Sequence, residues 1–175
     1  MDLYTRAAAY LDAFQADMNR DFHLISNAEF GARRFPLFGS YVCEDTSTLI
    51  LKNGKSVRSY EFCYFDVCEA LDETTVRDYC AVLDDMAARY VPWSEPSHGF
   101  SMLSMVVLTA GAPDRATQKA IKKYKHEEKR KRPEDGYGWC SGRLCVVDLS
   151  DGTCWVNAHG RALANRVKLT VGKVK

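Results

Sequence analysis

Hydrophobic residues recur every three to four positions in two stretches of the chain, which is the spacing of one face of a helix. The first stretch runs from Asp2 to about Met18, and aspartate commonly caps a helix N-terminus. The second runs from about Thr74 to Tyr90, and Pro92 follows it. Because proline cannot continue a helix, the second helix is expected to end before Pro92. The pattern therefore predicts two amphipathic helices.

The apolar run Gly99–Thr109 has a different pattern. It is nearly continuous, rich in β-branched residues and flanked by turn-forming residues, so it predicts a strand that is buried on both faces. Such a strand needs cover on each face, which helices before and after it can provide. A third helix is predicted from about Pro113, with a thin apolar side. It becomes wholly charged by His126 and ends before Pro133.

Three segments ahead of this central strand predict an antiparallel meander. Aromatic residues alternate along Ser59–Asp66 with the period of a strand, and Phe38–Glu44 and Thr48–Lys52 precede it. Asn53-Gly54 is typical of a two-residue hairpin turn, because both central positions of a type I′ turn need positive φ. The segment 19–36 shows no clear period and is predicted only to pack against the rest of the domain.

The last third of the chain predicts a hairpin. A loop with three glycines, 134–142, leads into the strand Arg143–Leu149. Asp151-Gly152 is a second hairpin signal, and Thr153–Asn157 is the returning strand. From Ala158 onward the chain becomes basic and loses its pattern.

The predicted fold class is α/β (α+β), with the order α-β-β-β-α-β-α-β-β. The expected architecture is a mixed, mostly antiparallel sheet of about six strands with helices packed on it. Hydrophobic residues make up 46% and charged residues 27% of the chain, which is ordinary for a globular protein. We expect a single globular domain over residues 1–163, followed by a basic C-terminal tail, 164–175.

The net charge of +1 means that the chain as a whole does not indicate a polyanionic partner. The N-terminus lacks the pattern of a signal peptide, and no apolar run approaches the length of a membrane span. The number of cysteines is odd, seven, and several fall within apolar patterns, which favours reduced thiols. These features predict a cytoplasmic protein that does not bind membranes.

The chain lacks the usual spacing of a metal or nucleotide site. Cys63-x4-Cys68 and Cys140-x4-Cys145 do not match the knuckle pairs of structural zinc sites. Gly136, Gly138 and Gly142 follow a predicted helix and precede a strand, which reverses the order of a phosphate-binding loop. The prediction is therefore no metal site and no cofactor.

The element order resembles that of the restriction-endonuclease-like fold, whose core is α-β-β-β-α-β. That resemblance implies a Mg²⁺ site with an acidic residue on the second strand and an acidic-x-Lys triplet on the third. Here Glu61 is followed two positions later by Cys63, and the predicted second strand holds no carboxylate. A metal-dependent nuclease or phosphoesterase therefore stays an alternative function, with a non-standard carboxylate cluster. Its candidate catalytic residues are Glu44, Asp45, Glu61 and Asp66.

The basic segment 119–132 is the clearest local signal of binding. Lysines and arginines in it far outnumber the acidic residues, and aromatic residues are interleaved or follow closely. Such a surface can contact phosphates and stack bases, although a charged helix end is often only solvated. The leading hypothesis is a non-enzymatic binding or adaptor protein that contacts nucleic acid or an acidic partner. A homodimeric protein-interaction module is a further alternative. The candidate binding residues are Lys122, Lys123, Tyr124, Lys125, Lys129, Arg130, Arg132, Tyr137, Trp139 and Arg143.

The run Gly136-Tyr137-Gly138-Trp139 precedes Arg143-Leu144 and a V-V-D-L strand, with Asn157 and Gly160 beyond it. Together with the basic-aromatic Lys123-Tyr124-Lys125, this ending resembles that of a family of small uncharacterised prokaryotic α/β proteins, a domain of unknown function. The resemblance implies a common fold. It implies no activity and no catalytic residue.

Trp139 and Arg143 are the place where we expect a ligand. A tryptophan beside an arginine can hold an anionic or aromatic molecule by stacking and by a charge-assisted hydrogen bond. In the alternative interpretation, Trp139 is buried and anchors its loop, and Arg143 extends along the strand start towards solvent.

Overall fold

One mixed sheet organises the computed structural model, which describes residues 2–45, 56–132 and 136–174. The helices in this part of the chain are α1 (Leu3–Met18), α2 (Glu73–Tyr90), α3 (Arg115–Lys123) and α4 (Arg161–Lys173), with a short 3₁₀ turn at Ala158–Gly160. The strands are β1 (His23–Phe30), β2 (Arg33–Asp45), β3 (Val57–Val67), β4 (His98–Thr109), β5 (Glu127–Lys131), β6 (Tyr137–Asp148) and β7 (Cys154–Val156). The predicted α+β class and mostly antiparallel mixed sheet are confirmed.

The strands lie in the order β1-β2-β3-β4-β6-β5, and β7 also pairs with β6. Strands β3, β4 and β6 are parallel to one another, and the remaining pairs are antiparallel. The prediction for the central apolar run is confirmed, because β4 lies between β3 and β6 and Val106, Val107 and Leu108 have no exposed surface. β5 is the outermost strand beside β6.

Two apolar layers cover the two faces of the sheet. On one face, α2 and α3 contribute Leu83, Met86 and Ile121 to a cluster that includes Tyr64 of β3. On the other face, α1 and α4 pack against residues such as Phe65, the next residue along β3. Neighbouring residues of a strand point to opposite faces, so the aromatic run in β3 serves both layers. None of the helices among the described residues is both long and apolar enough to cross a membrane.

The first strands begin earlier than the sequence pattern predicts. The segment 19–36, which shows no clear period, contains β1, and β2 starts at Arg33 rather than at Phe38. β1 is an edge strand that buries only Ala28 and Phe30, so its alternation is largely absent from the sequence. The predicted strand 48–52 and the turn at 53–54 lie outside the described residues.

The basic segment is not one helix. α3 ends at Lys123, and the predicted charged continuation of that helix is wrong, because residues 127–131 form β5 and pair antiparallel with β6. β5 reads Glu-Glu-Lys-Arg-Lys and has no apolar residue, so hydrophobic patterning could not reveal a strand. Likewise, most of the predicted glycine loop belongs to β6, which starts at Tyr137.

The end of the chain also differs from the expected form. The sequence predicts no hydrophobic periodicity after Ala158 and a basic tail over residues 164–175. In the structure, helix α4 spans Arg161–Lys173. Its buried residues recur every three to four positions, and the apolar ones pack on the α1 side of the sheet: Leu163, Ala164, Val167 and Val171, with Thr170 also buried. Basic residues between these positions obscure the apolar stripe, which is narrow.

Three of the helices begin in the same way. Asp2, Asp72 and Asp114 each precede a helix, and each side chain accepts a hydrogen bond from the backbone N–H of the threonine three residues later. For Asp72 the acceptor distance to the Thr75 nitrogen is 2.7 Å. Hydrogen bonds from the threonine, its hydroxyl first at Asp2 and its backbone N–H first at Asp72 and Asp114, hold the pKa of all three carboxyl groups below the usual aspartate range.

We expect the contribution of the Asp72 cap to depend on pH. Because its folded-state pKa is depressed, the ionised cap stabilises the fold above the unfolded pKa of aspartate and loses this effect as pH falls through the lower folded value. Asp72→Asn keeps a capping oxygen that does not titrate. In urea unfolding at about pH 6 and about pH 3, wild type should lose free energy of unfolding relative to Asp72→Asn at the lower pH. Asp78→Asn, on the exposed side of α2, is the control, and an equal pH response in both variants would contradict the prediction.

Candidate functional site

Strands β5 and β6 carry exposed aromatic and basic side chains on the sheet face that α1 and α4 share. Register places Lys129 opposite Trp139 and Lys131 opposite Tyr137, and Phe100 of β4 lies on the other side of Trp139. Residues directly opposite each other in a sheet point to the same face. These five residues, Phe100, Lys129, Lys131, Tyr137 and Trp139, form what we call the aromatic surface.

The rings of the aromatic surface are open to solvent. Tyr137 is 56% exposed and Trp139 is 39% exposed, and the two lie side by side on one face. The Trp139 ring stacks on Phe100 with centroids 5.0 Å apart and an interplanar angle of 18°. The Lys129 ammonium lies 4.5 Å from the centroid of the Tyr137 ring. Neighbouring side chains therefore orient both rings while their faces stay partly accessible.

Arg143 lies two positions beyond Ser141 on the same face of β6, but it is not available to a ligand. Its guanidinium is buried and donates to Glu61 Oε1 at 2.6 Å and to Ser104 Oγ at 2.9 Å. Arg166 of α4 donates to the same Glu61 oxygen at 3.0 Å. The structure thus separates the two residues expected to act together: Trp139 is exposed, and Arg143 belongs to a buried ion pair.

Three of the four candidate carboxylates for a nuclease, those of Glu44, Glu61 and Asp66, do not come together. Glu61 is buried between the two arginines on the α1 and α4 face, whereas Glu44 lies 3.6 Å from Arg58 near the end of β2. Asp66 lies five residues along β3 from Glu61, hence on the opposite face, and accepts a hydrogen bond from the Tyr79 hydroxyl. Burial raises the pKa of the Asp66 carboxyl. Asp45 pairs with Val57 at the end of β2.

The other predicted binding residues are spread around β5. Lys122 and Lys123 are exposed in the last turn of α3, and Lys125 is exposed between α3 and β5. Arg130 points to the face opposite the aromatic surface, where its guanidinium lies 4.6 Å from the centroid of the Trp93 ring. The backbone N–H of Arg132 donates to the Gly136 carbonyl across the strand end.

On the face opposite the aromatic surface, a polar cluster brings α2 and the two outer strands together. Its members are Asp84, Tyr124, His126, Glu128 and Cys140. His126 Nδ1 lies 2.8 Å from Asp84 Oδ1, and the Tyr124 hydroxyl donates to the same oxygen at 3.0 Å. His126 Nε2 lies 3.9 Å from Cys140 Sγ. Burial raises the pKa of the Cys140 thiol to about 11.

His126, Glu128 and Cys140 are arranged as metal ligands can be. One potential ligand atom from each, Nε2 or Nδ1, a carboxylate oxygen and Sγ, lies within 4.8 Å of the others. Sequence reasoning missed this group, because its members come from both sides of a strand pair and Asp84 is 42 residues away from His126. The only local signal is the alternation His126-x-Glu128, which is meaningful only if residues 127–131 are a strand.

Two glycines of β6 leave space for rings that pack against the strand: Gly142 for Tyr124 and His126 of the polar cluster, and Gly138 for His98. A side chain at Gly142 would place its Cβ 2.5 Å from the Tyr124 hydroxyl and 3.0 Å from the His126 Cβ. At Gly138 the Cβ would lie 2.5 Å from His98 Nδ1. The glycines predicted to form a flexible loop therefore permit close packing of rings against β6.

All seven cysteines lie in the described part of the chain, and all are free. Cys145 and Cys154 share a hydrogen bond, which lowers the pKa of Cys154 and raises that of the buried Cys145. Cys63 is buried beside Phe65, and burial raises its pKa to about 12. Buried thiols of this kind stay protonated at neutral pH.

A family model described as a domain of unknown function, DUF8052, matches residues 6–169. The chain belongs to this family. The match confirms the predicted resemblance to a family of uncharacterised proteins. No curated protein and no solved structure matches the chain. The match spans the aromatic surface, the buried ion pair and the polar cluster, so each lies within the family domain.

We expect Glu61→Gln to destabilise the fold strongly. The change leaves the buried Arg143 without a compensating charge, and loss of one partner of a buried ion pair costs about 3–5 kcal/mol. Glu29→Gln is the matched control, because its ion pair with Arg34 is largely exposed and should contribute less than about 1 kcal/mol. Urea unfolding of both variants measures the difference, and equal losses would show that the buried pair has no special role.

We expect Gly142→Ala to destabilise the domain by about 1–3 kcal/mol, because the added methyl group displaces Tyr124 and His126. Gly111→Ala is the control, since a Cβ there meets nothing within 4 Å and should change stability by about 0.5 kcal/mol or less. Thermal and urea unfolding compare the two. A Gly142→Ala variant as stable as Gly111→Ala would contradict the close packing described above.

Proposed function

We propose that this domain is a non-enzymatic binding protein that holds single-stranded nucleic acid on its aromatic surface. The observation that carries the proposal is the exposure of Tyr137 and Trp139 on one face of an outer pair of strands, beside Lys129 and Lys131. Proteins that bind single strands combine aromatic stacking platforms with basic residues that follow the phosphate backbone.

The spacing of the rings suits this mode of binding. Tyr137 and Trp139 are two residues apart on β6, so their side chains emerge about 7 Å apart on the same face. Phe100 supports the Trp139 ring from the β4 side, which restricts its motion and lowers the entropic cost of stacking a base. Two neighbouring bases can therefore meet two rings that are already oriented.

The positive charge is local rather than global. The chain has a net charge of only +1, but eight basic residues lie in the segment 119–132 against Glu127 and Glu128. Of these, Lys129 and Lys131 lie on the aromatic surface itself, whereas Arg130 and helix α3 lie on the opposite side of the sheet. Both acidic side chains are engaged, since His159 Nε2 lies 3.6 Å from Glu127 and Arg130 Nε donates to Glu128. The basic residues of the segment are Lys119, Lys122, Lys123, Lys125, Lys129, Arg130, Lys131 and Arg132.

A nucleic acid fits this surface better than an acidic protein does, because flat exposed rings offer stacking that carboxylates cannot use. The buried state of Glu61 and the separation of Asp66 from it favour binding without catalysis.

The free thiols fit a reducing, cytoplasmic setting. A monomer suffices for this mode of binding.

We expect labelled single-stranded RNA or DNA oligonucleotides to bind with an affinity that falls steeply as salt rises, because lysines displace counterions from phosphates. Trp139→Ala and Tyr137→Ala should each weaken binding by about 1–3 kcal/mol, the usual contribution of one stacked base. Lys129→Gln should weaken binding and lower the slope of log K against log salt by roughly one phosphate contact. Fluorescence anisotropy over a salt series measures these effects.

Tyr4→Ala and Arg115→Gln are matched controls, because Tyr4 is 58% exposed on α1 and Arg115 is exposed at the first turn of α3. Both should bind like wild type. Equal losses in the controls and in the aromatic-surface variants would contradict the proposal, as would an absence of binding at low salt. Double-stranded DNA bound as tightly as single strands would also oppose it, since paired bases cannot stack on the rings. Cleavage that requires Mg²⁺ would contradict the absence of catalysis.

A further inference from the structure

We propose that His126, Glu128 and Cys140 bind a divalent metal ion of the zinc class. The site lies on the face of β5 and β6 opposite the aromatic surface, and it does not depend on nucleic-acid binding. An imidazole nitrogen, a cysteine sulfur and a carboxylate are the three ligand types that Zn²⁺ takes in proteins, and binding of the ion releases the Cys140 thiol proton to solvent.

Strand pairing brings the three ligands together. Glu128 and Cys140 are directly opposite each other in the antiparallel pair of β5 and β6, so their side chains share one face. His126 precedes Glu128 by two residues, and its carbonyl accepts a hydrogen bond from the Gly142 N–H, which extends the pairing by one step. The three side chains therefore converge from backbone positions that the sheet determines.

The distances are close to those of a coordinated ion. In a tetrahedral zinc site with bonds of about 2.0–2.3 Å, neighbouring ligand atoms are roughly 3.5 Å apart. His126 Nε2 and Cys140 Sγ are 3.9 Å apart, and one ligand atom from each of the three residues lies within 4.8 Å of the others. Binding of one ion would draw the three ligand atoms together by roughly 1 Å.

Asp84 orients the imidazole. In the tautomer that this contact favours, His126 Nδ1–H donates to Asp84 Oδ1 at 2.8 Å, which leaves the lone pair of Nε2 facing Cys140. Histidine ligands commonly donate their second nitrogen to a carboxylate in this way, and the contact fixes the orientation of the ring. Asp84 is a positioning residue, and the Tyr124 hydroxyl holds its carboxylate in turn.

Glu128 has one oxygen already engaged. Arg130 Nε donates to its Oε1 at 2.6 Å, so Oε2 would coordinate the metal. The hydrogen bond from Arg130 would then hold the carboxylate in its orientation. The Glu128 side chain is 37% exposed, whereas Cys140 is completely buried. Three protein ligands leave a fourth position on the solvent side of the ion for water or another ligand.

Titration of the reduced, chelator-treated domain with Co²⁺ tests the proposal directly. Cobalt in a zinc site with a thiolate ligand gives a sulfur-to-metal charge-transfer band, and zinc should displace it. We expect one ion per chain and the loss of this band in Cys140→Ser. Cys43→Ser, which changes a half-buried cysteine of β2, should keep the band and is the matched control.

Two further variants keep the test decisive if Cys140→Ser fails to fold. Glu128→Gln changes a partly exposed side chain and should weaken Co²⁺ affinity while the band remains, because the thiolate is still present. Asp84→Asn should weaken affinity about 10–100-fold with the band retained, as expected of a positioning residue. His23→Gln on β1 should leave the affinity unchanged.

Three outcomes would overturn the proposal. The first is the absence of the charge-transfer band in wild type, and the second is an undiminished band in folded Cys140→Ser. The third is equal affinity in Glu128→Gln, Asp84→Asn and His23→Gln, which would assign the ion to other thiols. None of these outcomes bears on the aromatic surface, because Trp139 and Tyr137 lie on the opposite face of β6 and oligonucleotide binding can be repeated on the chelator-treated domain.

Discussion

Burial of β4 on both faces is the constraint on which the rest of this structure depends. A strand with completely buried Val106 and Val107 on opposite faces needs apolar cover on each side of the sheet. The domain meets this requirement with α2 and α3 on one face and α1 and α4 on the other. The crossovers through α2 and α3 also bring β3, β4 and β6 into a parallel group, with β5 at the outer edge.

The cover on the α1 and α4 face is not uniform along the parallel strands. Towards their carboxyl ends the face is apolar, with Phe65, Leu108 and Val147 packed under the helices. Towards their amino ends it becomes polar and aromatic. The buried pair of Glu61 and Arg143 lies between the two regions. Each of these buried charges needs a partner because water is excluded around them. The pair therefore lies at the boundary between the apolar core and the exposed surface that contains Trp139.

The outer strand β5 presents different chemistry on its two faces. Its run of five charged residues suits an unpaired edge, because charge there opposes pairing with the edge strand of another protein. Alternation then places Lys129 beside the exposed rings and Glu128 beside Cys140 and His126. A short strand thereby contributes to two proposed sites, one for nucleic acid and one for a metal ion, on opposite faces of the sheet.

The amino-acid sequence by itself determined the elements with strong periodic or continuous apolar patterns: α1, α2, β4 and the hairpin of β6 and β7. Lys129, Tyr137 and Trp139 also stand out locally in the sequence, as a basic residue and two aromatic residues beside glycines. The sequence could not reveal β1 or β5, because edge strands bury too few side chains to leave an alternating pattern. Only the tertiary structure decided that Arg143 is neutralised by Glu61, 82 residues away, and that His126 meets Asp84 and Cys140. The reason is physical: contacts between distant residues arise from strand register and packing, which no local spacing encodes.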